Sequence, residues 1–255
     1  MTAKIRQQVM LKNEMAKTGK IFRVVINHGD EGQMLAVLVN CYVEETFFHA
    51  YESQTIKHTD KVSAMRRISN TLRQEVPCST LELDGSAWDW CCNPRVRQFE
   101  NNVYTHCACL LQSRTDFLNL FHPRWTERYL AFMNKPLSQL EMPTGHQRKR
   151  VWKSMVQVRD SGDRGTSVKN GLLNFAMTVA TIAHPESAVE IFNGGHGKAQ
   201  NGEWITLRNA HEGDDTGVTI SPVQSEDSPL LAMLAENWRE SGFVMKIKLI
   251  HPGAA

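Results

Sequence analysis

Apolar residues along the chain recur with two different periods, and the alternation of those periods predicts a mixed α+β fold. In residues 60–74, DKVSAMRRISNTLRQ, the apolar positions Val62, Met65, Ile68 and Leu72 fall at helical spacing. Residues 166–183, TSVKNGLLNFAMTVATIA, place Val168, Leu172, Phe175, Val179 and Ile182 on one face of a longer helix, which Pro185 ends. A third helix is signalled at both ends. In 228–242, SPLLAMLAENWRESG, Ser228 suits the N-cap and Pro229 the first helical position. Leu231, Leu234 and Trp238 then share a face, and Gly242 follows the end. Strands are expected at KIFRVVI (20–26), at FVMKIKLI (243–250), and at the start of STLELDGSAWDW (79–90), which runs into a turn at Asp84-Gly85-Ser86. Residues 123–150 mix prolines with polar residues and are expected to form an irregular excursion from the main body.

Composition narrows this picture only a little. With 255 residues, 41% hydrophobic and 22% charged, the chain can build one large domain or two small ones. A net charge of +2 selects no partner, but its distribution does. Residues 1–26 carry Lys4, Arg6, Lys12, Lys17, Lys20 and Arg23 against the single acid Glu14, which suits an anionic ligand. The N-terminus, MTAKIRQQVMLKNEMAK, lacks the apolar core and cleavage site of a signal peptide. The longest apolar run, LLNFAMTVATIA, is too short and interrupted to span a bilayer, so direct membrane insertion is not expected. Six cysteines, at 41, 78, 91, 92, 107 and 109, suit a reducing compartment better than a disulfide framework. Cys91, Cys92, His106, Cys107 and Cys109 lack the paired CxxC spacing of common zinc sites and read as buried, reduced thiols.

Three constellations carry candidate chemistry. The first is Asp84 with Asp89 in ELDGSAWDW, where a strand would hold Asp84 at its rigid end and Asp89 would follow about one turn later; either could equally be a turn or capping residue. The second is DSGDRGTSVKN, 160–170. Gly162 and Gly165 permit a tight loop before a helix whose free N–H groups suit phosphate or ribose, and Thr166, Asn170 and Asn174 continue as a polar stripe. The third is AHEGDDTGVTI, 210–220, which crowds Glu212, Asp214 and Asp215 around Gly213. Alone, that turn also suits a surface hairpin, and strand alternation points Glu212 outward.

Taken in order, Asp84-x4-Asp89, Ser161-Gly162-x3-Thr166-x3-Asn170 and Gly213-Asp214-Asp215 resemble motifs A, B and C of the RNA-dependent RNA polymerases of positive-strand RNA viruses. Upstream, KNEMAKTGKIFRVV resembles the basic motif F of the flavivirus-like and tombusvirus-like branches. Downstream, LLAMLAENWRESGFVMKIKL resembles motif D. The resemblance covers about residues 12 to 250, with A to C the specific part.

The resemblance implies an α+β polymerase palm, an antiparallel sheet backed by helices, with partial fingers and no thumb. Residues 1–60 would be partial fingers with motif F, and 61–255 the palm, with a fingers excursion over about 110–158. Asp84 and Asp214 would be the main ligands of two Mg²⁺ (or Mn²⁺) ions, with Asp215 a weaker partner, for in-line nucleotidyl transfer. Asp89 and Asn170, assisted by Ser161, Gly162 or Thr166, would read the ribose 2′-hydroxyl. Lys12, Lys20 and Arg23, with Lys17, would hold the triphosphate, and Lys246 or Lys248 would protonate the leaving pyrophosphate. Implied partners are RNA template and product, NTPs and other viral replicase segments, in a replication complex of the host cell cytoplasm.

Two features depart from the family pattern. LRNAHE, before Gly-Asp-Asp, is more polar than the usual strand, and Glu212 adds an acid beside the site. A full fingers domain and a thumb have no room, so the chain is expected to be a fragment of a longer replicase that is weakly processive or inactive alone. Basic residues such as Arg148, Lys149, Arg150 and Lys153 would supply only part of the product contacts. A reverse transcriptase shares the palm and its aspartates, although Asp89 and Asn170 argue against it; a catalytically silent RNA-binding replicase segment is the other alternative.

Overall fold

The computed structural model describes residues 8–11, 24–27, 29–51, 55–56, 60–72, 77–86, 88–114, 116, 124–133, 140–144, 147–151 and 165–250. In chain order the elements are β1 (Gln8–Leu11), β2 (Val24–Asn27), α1 (Gly29–Val43), α2 (Lys61–Leu72), β3 (Ser79–Ser86) and the short α3 (Trp88–Cys91). There follow α4 (Pro94–Gln112), α5 (Trp125–Met133), β4 (Leu140–Thr144), β5 (Gln147–Val151), α6 (Thr166–Ile182) and α7 (Ala188–Phe192). The last elements are β6 (His196–Lys198), β7 (Trp204–Glu212), β8 (Asp215–Ser221), α8 (Pro229–Glu240) and β9 (Val244–Ile250). The fold is α+β, and the chain divides into two compact units, one of residues 1–43 with 92–166 and one of 44–91 with 167–255.

The second unit holds the five-stranded sheet, in the order β6-β7-β8-β3-β9, antiparallel throughout. Alternation along its strands buries Leu81, Leu83, Ile205, Leu207, Val218 and Ile220 on one face. Each large side chain so buried contributes about 1.5–3 kcal/mol. On α6, the expected apolar positions Val168, Leu172, Phe175, Val179 and Ile182 are all buried, together with Asn174 and Thr178 on its other sides. The ends of α8 form as their residues dictate: Ser228 Oγ accepts from Leu230 N at 3.2 Å, and Gly242 takes the positive φ of 90° that lets the chain leave the helix. Leu230, Leu231, Leu234 and Trp238 are buried, and Trp238, Trp88 and Phe243 pack ring against ring.

The first unit carries a four-stranded sheet, β2-β1-β4-β5, and the helices α1, α4 and α5, which pack against one another. Asn93 caps α4, accepting from Arg95 N at 3.0 Å and Val96 N at 3.2 Å, with Pro94 at the first position.

Several sequence expectations are corrected. The strand begun at Ser79 does not turn at Asp84-Gly85-Ser86; β3 runs through to Ser86, because β9 pairs with it up to Ser86↔Val244. Gly85 is needed there for contact rather than for turning, since a Cβ would come 2.5 Å from Trp88 Cε3. The described residues of 123–150 are not irregular. They contain α5, in which Trp125 and Tyr129 are buried and stacked 5.3 Å apart at i, i+4, and the paired strands β4 and β5. The helix over 60–74 forms as α2, with Asp60 accepting from Ser63 N at 2.8 Å, yet Val62 and Met65 of its expected apolar face are 58% and 62% exposed. The thiols are all free, but only Cys92 and Cys107 are buried, while Cys41 and Cys109 are exposed. Burial raises the pKa of Cys107.

Candidate functional site

The acids meet at one end of the five-stranded sheet. β7 and β8 form a hairpin whose two-residue turn is Gly213-Asp214, and Gly213 adopts a φ of 67°, which a residue with a Cβ adopts only under strain. The register places Glu212 opposite Asp215, Asp215 opposite Asp84, and Asp84 opposite Lys246. Cross-strand partners project from the same face, so Glu212, Asp215, Asp84 and Lys246 make one row across β7, β8, β3 and β9, all exposed. One row further down, Glu82 stands opposite Lys248. Asp84 is thus paired in register with Asp215, and Asp214 lies in the adjoining turn.

This crowding has an electrostatic cost. Asp215 has its pKa raised above the ordinary carboxylate value, first by partial burial and then by Asp214, Asp84, Glu212 and Glu82. Cations offset part of it: Lys246 Nζ lies 3.1 Å from Asp84 Oδ2, Lys248 Nζ 3.5 Å from Glu82 Oε2, and Lys61 Nζ 3.9 Å from Glu212 Oε1. These pairs are solvated and contribute at most about 1 kcal/mol each, so an incoming cation can displace them. Glu212 therefore faces solvent and joins the acidic field as well. Among the described residues, no group of three or more His, Cys, Asp or Glu side chains is already gathered as a metal cage.

Beneath the turn, α6 supplies the support. A Cβ on Gly171 would stand 3.6 Å from Gly213 N and 3.4 Å from Phe48 Cζ, ordinary van der Waals distances, so helix and hairpin lie side by side at this point. Asn174, fully buried, donates from Nδ2 to the carbonyls of Asp214 at 2.9 Å and Gly213 at 3.4 Å, and to Thr216 Oγ1. Thr216 Oγ1 also bonds His211 Nδ1 at 2.8 Å, while the carbonyl of His211 accepts from Thr55 Oγ1 at 3.0 Å and Ile56 N at 3.1 Å. Asn174, Thr216 and His211 thus tie the acidic turn to the buried side of the sheet. The polar stripe on 166–174 was a signal for Asn174, but nothing local marked His211, Gly171 or Thr216.

Burial removes water from the His211 ring and lowers its pKa from 6.5 to about 3. Above pH ~6.5 the ring is neutral in folded and unfolded chains alike, and its contribution to stability is complete. As pH falls from there toward 3, the unfolded chain takes up a proton that the folded one refuses, and stability declines by up to about 1.4 kcal/mol per pH unit. We expect melting temperature to fall between pH 7 and pH 5, and His211→Gln to flatten that slope; an equal slope in the variant would assign the effect elsewhere.

Other expected site residues are placed less centrally. Asn170 is 4% exposed, and its Oδ1 has no hydrogen-bond partner among the described residues. Thr166 and Asp89 are half-buried, Asp89 in the first turn of α3. Lys12, Lys17, Lys20, Arg23, Ser161 and Gly162 lie outside the described residues. No model of a known protein family matches the chain, and the curated proteins contain no significant match to its sequence.

Proposed function

We propose that the chain is the palm, with part of the fingers, of an RNA-directed RNA polymerase of the positive-strand RNA virus kind, working among other replicase segments in the host cell cytoplasm. The observation that carries this reading is the register of β3 and β8. It makes Asp84 and Asp215, far apart in sequence, direct neighbours beside the Asp214 turn, on the exposed face of an antiparallel sheet backed by helices.

The donor chemistry suits Mg²⁺ or Mn²⁺, since Asp84, Asp214 and Asp215 offer hard carboxylate oxygens and no competing thiol or imidazole faces them in the row. When bound, such ions lower the pKa of an attacking 3′-hydroxyl and stabilise charge on the triphosphate. Asp84 and Asp214, with Asp215, would hold them; Asn174 keeps the turn in place so that Asp214 does not drift. The Oδ1 of Asn170, without a partner among the described residues, is an acceptor suited to a ribose hydroxyl, and Asp89 is its proposed companion. Lys246, in the acid row, is better placed than Lys248, one row away, to give a proton to leaving pyrophosphate.

Lys246 also stands in for a cation beside Asp84. Removing one unit charge at such a distance in water is worth about 1 kcal/mol. Lys246→Met is therefore expected to raise Mn²⁺ affinity about fivefold in a titration followed by electron paramagnetic resonance, whereas Lys248→Met leaves it nearly unchanged. Equal effects of the two variants would remove the distinction between them.

The test of the proposal is template-directed addition of a single nucleotide to a primed RNA in Mg²⁺ or Mn²⁺, with ribo- and deoxyribonucleotides side by side. Ribonucleotide addition supports the polymerase. A preference for deoxyribonucleotides would transfer the reading to a reverse transcriptase, and RNA binding without addition would leave a silent replicase segment.

A further inference from the structure

The exposed face of the five-stranded sheet changes character along its length. At the hairpin end stand Glu212, Asp215, Asp84 and Glu82. At the other end of the same face, the β6–β7 pairing assembles a different set. Trp204, 59% exposed, stands opposite Lys198; Thr206 stands opposite His196; and Arg208 stands opposite Thr219 of β8. Since β7 pairs without interruption from Thr206 to Glu212, Trp204, Thr206, Arg208 and Glu212 all project to one side. Trp204 and Glu212 lie eight residues apart on β7, about 27 Å.

An indole this exposed on a regular strand contributes little to the core. It is nonetheless held in place. The His196 ring lies against it, 5.3 Å between centroids with only 22° between planes, and His196 Nδ1 bonds Thr206 Oγ1 at 3.2 Å. The result is a rigid aromatic shelf with one open side, flanked by the exposed Lys198 and Arg208 and by the half-buried hydroxyls of Thr206, Thr219, Ser221 and Thr80. No carboxylate projects from the strands on this end of the face. Glu203 precedes Trp204 on the chain, and its carboxylate accepts from Asn201 Nδ2 at 2.8 Å.

We infer that this end of the sheet is a binding surface for single-stranded RNA, with an unpaired base stacked on Trp204 and the flanking phosphates on Lys198 and Arg208. A protein partner would call for a wider apolar patch than one indole ringed by cations and hydroxyls. A flat exposed aromatic beside cations on a β-sheet is the chemistry that takes an unpaired base and its phosphate together. A duplex does not fit the shelf, because its bases are stacked on each other and present no free face. The inference goes beyond nucleotidyl transfer and needs no metal. It supplies the acidic end with a strand held on the same face.

The experiment measures the full chain against a fluorescently labelled single-stranded RNA of about ten nucleotides by anisotropy, at several salt concentrations. Trp204→Ala is expected to weaken binding about tenfold, and Trp204→Phe to retain most of it. Arg208→Gln and Lys198→Gln should each lower the salt slope by about 0.7. Binding of a duplex RNA of equal length should be indifferent to Trp204. Thermal melts confirm that the variants fold, which the exposure of Trp204 favours. Unchanged affinity of Trp204→Ala would overturn the inference, as would an equal loss of binding to inorganic polyphosphate, which has no base to stack. Wild-type binding that depends on Trp204 in a chain that adds no nucleotide would leave a silent replicase segment and this inference standing.

Discussion

Asp84→Asn and Asp214→Asn are each expected to lower Mg²⁺-dependent nucleotide addition by about 10³-fold or more, the loss of roughly 4 kcal/mol of transition-state stabilisation. The same substitutions should not destabilise the chain. Both remove a charge from the acidic end of the sheet, where partial burial and then the neighbouring acids raise the pKa of Asp215. The ion pair that Asp84→Asn gives up, to Lys246, is solvated and contributes at most about 1 kcal/mol. Melting temperature in a metal-free buffer is therefore expected to stay level or rise by up to about 3 °C in Asp214→Asn. Activity lost with stability kept is the signature of a site maintained against its own repulsion. Full activity in either variant would show that these acids do not hold the reacting groups.

The second large effect is expected at Asn174. Its amide is wholly buried and serves the Asp214 and Gly213 carbonyls and the Thr216 hydroxyl at once. Asn174→Leu keeps the volume and removes the donor, leaving buried acceptors unpaired at a cost of about 2–3 kcal/mol. For a chain of this size that corresponds to a melting temperature lower by roughly 6–10 °C. Nucleotide addition should fall as well, even measured well below the melting point, because the turn bearing Asp214 loses its tie to α6. A stability loss with unaltered turnover per folded molecule would limit Asn174 to a structural part.

These two expectations draw on different levels of information. The ends of α8 could be read from Ser228, Pro229 and Gly242 because capping is settled within a few residues of the chain. The buried face of α6 was legible for the same reason, its period being local. The helix over Trp125–Met133 escaped because flanking prolines and charges hid a single i, i+4 aromatic pair. Exposure of Val62 and Met65 escaped for the opposite reason: spacing says which residues share a helix face, not whether anything covers it. The strand through Gly85 escaped because glycine signals a turn locally, while the pairing with β9 and the indole of Trp88 decide otherwise.

From the sequence by itself came the identity and order of the acids, the glycine that turns between them, the period of the main helices and the α+β alternation. All of these depend on residues a few positions apart. Only the tertiary structure decided that Asp84 stands between Asp215 and Lys246, that Glu212 shares their face, that Asn174 rather than Asn170 grips the turn, and that Trp204 lies on the same sheet surface. Strand order and register are set by the fit of whole buried faces and by the closure of long loops, and no short window of residues encodes either.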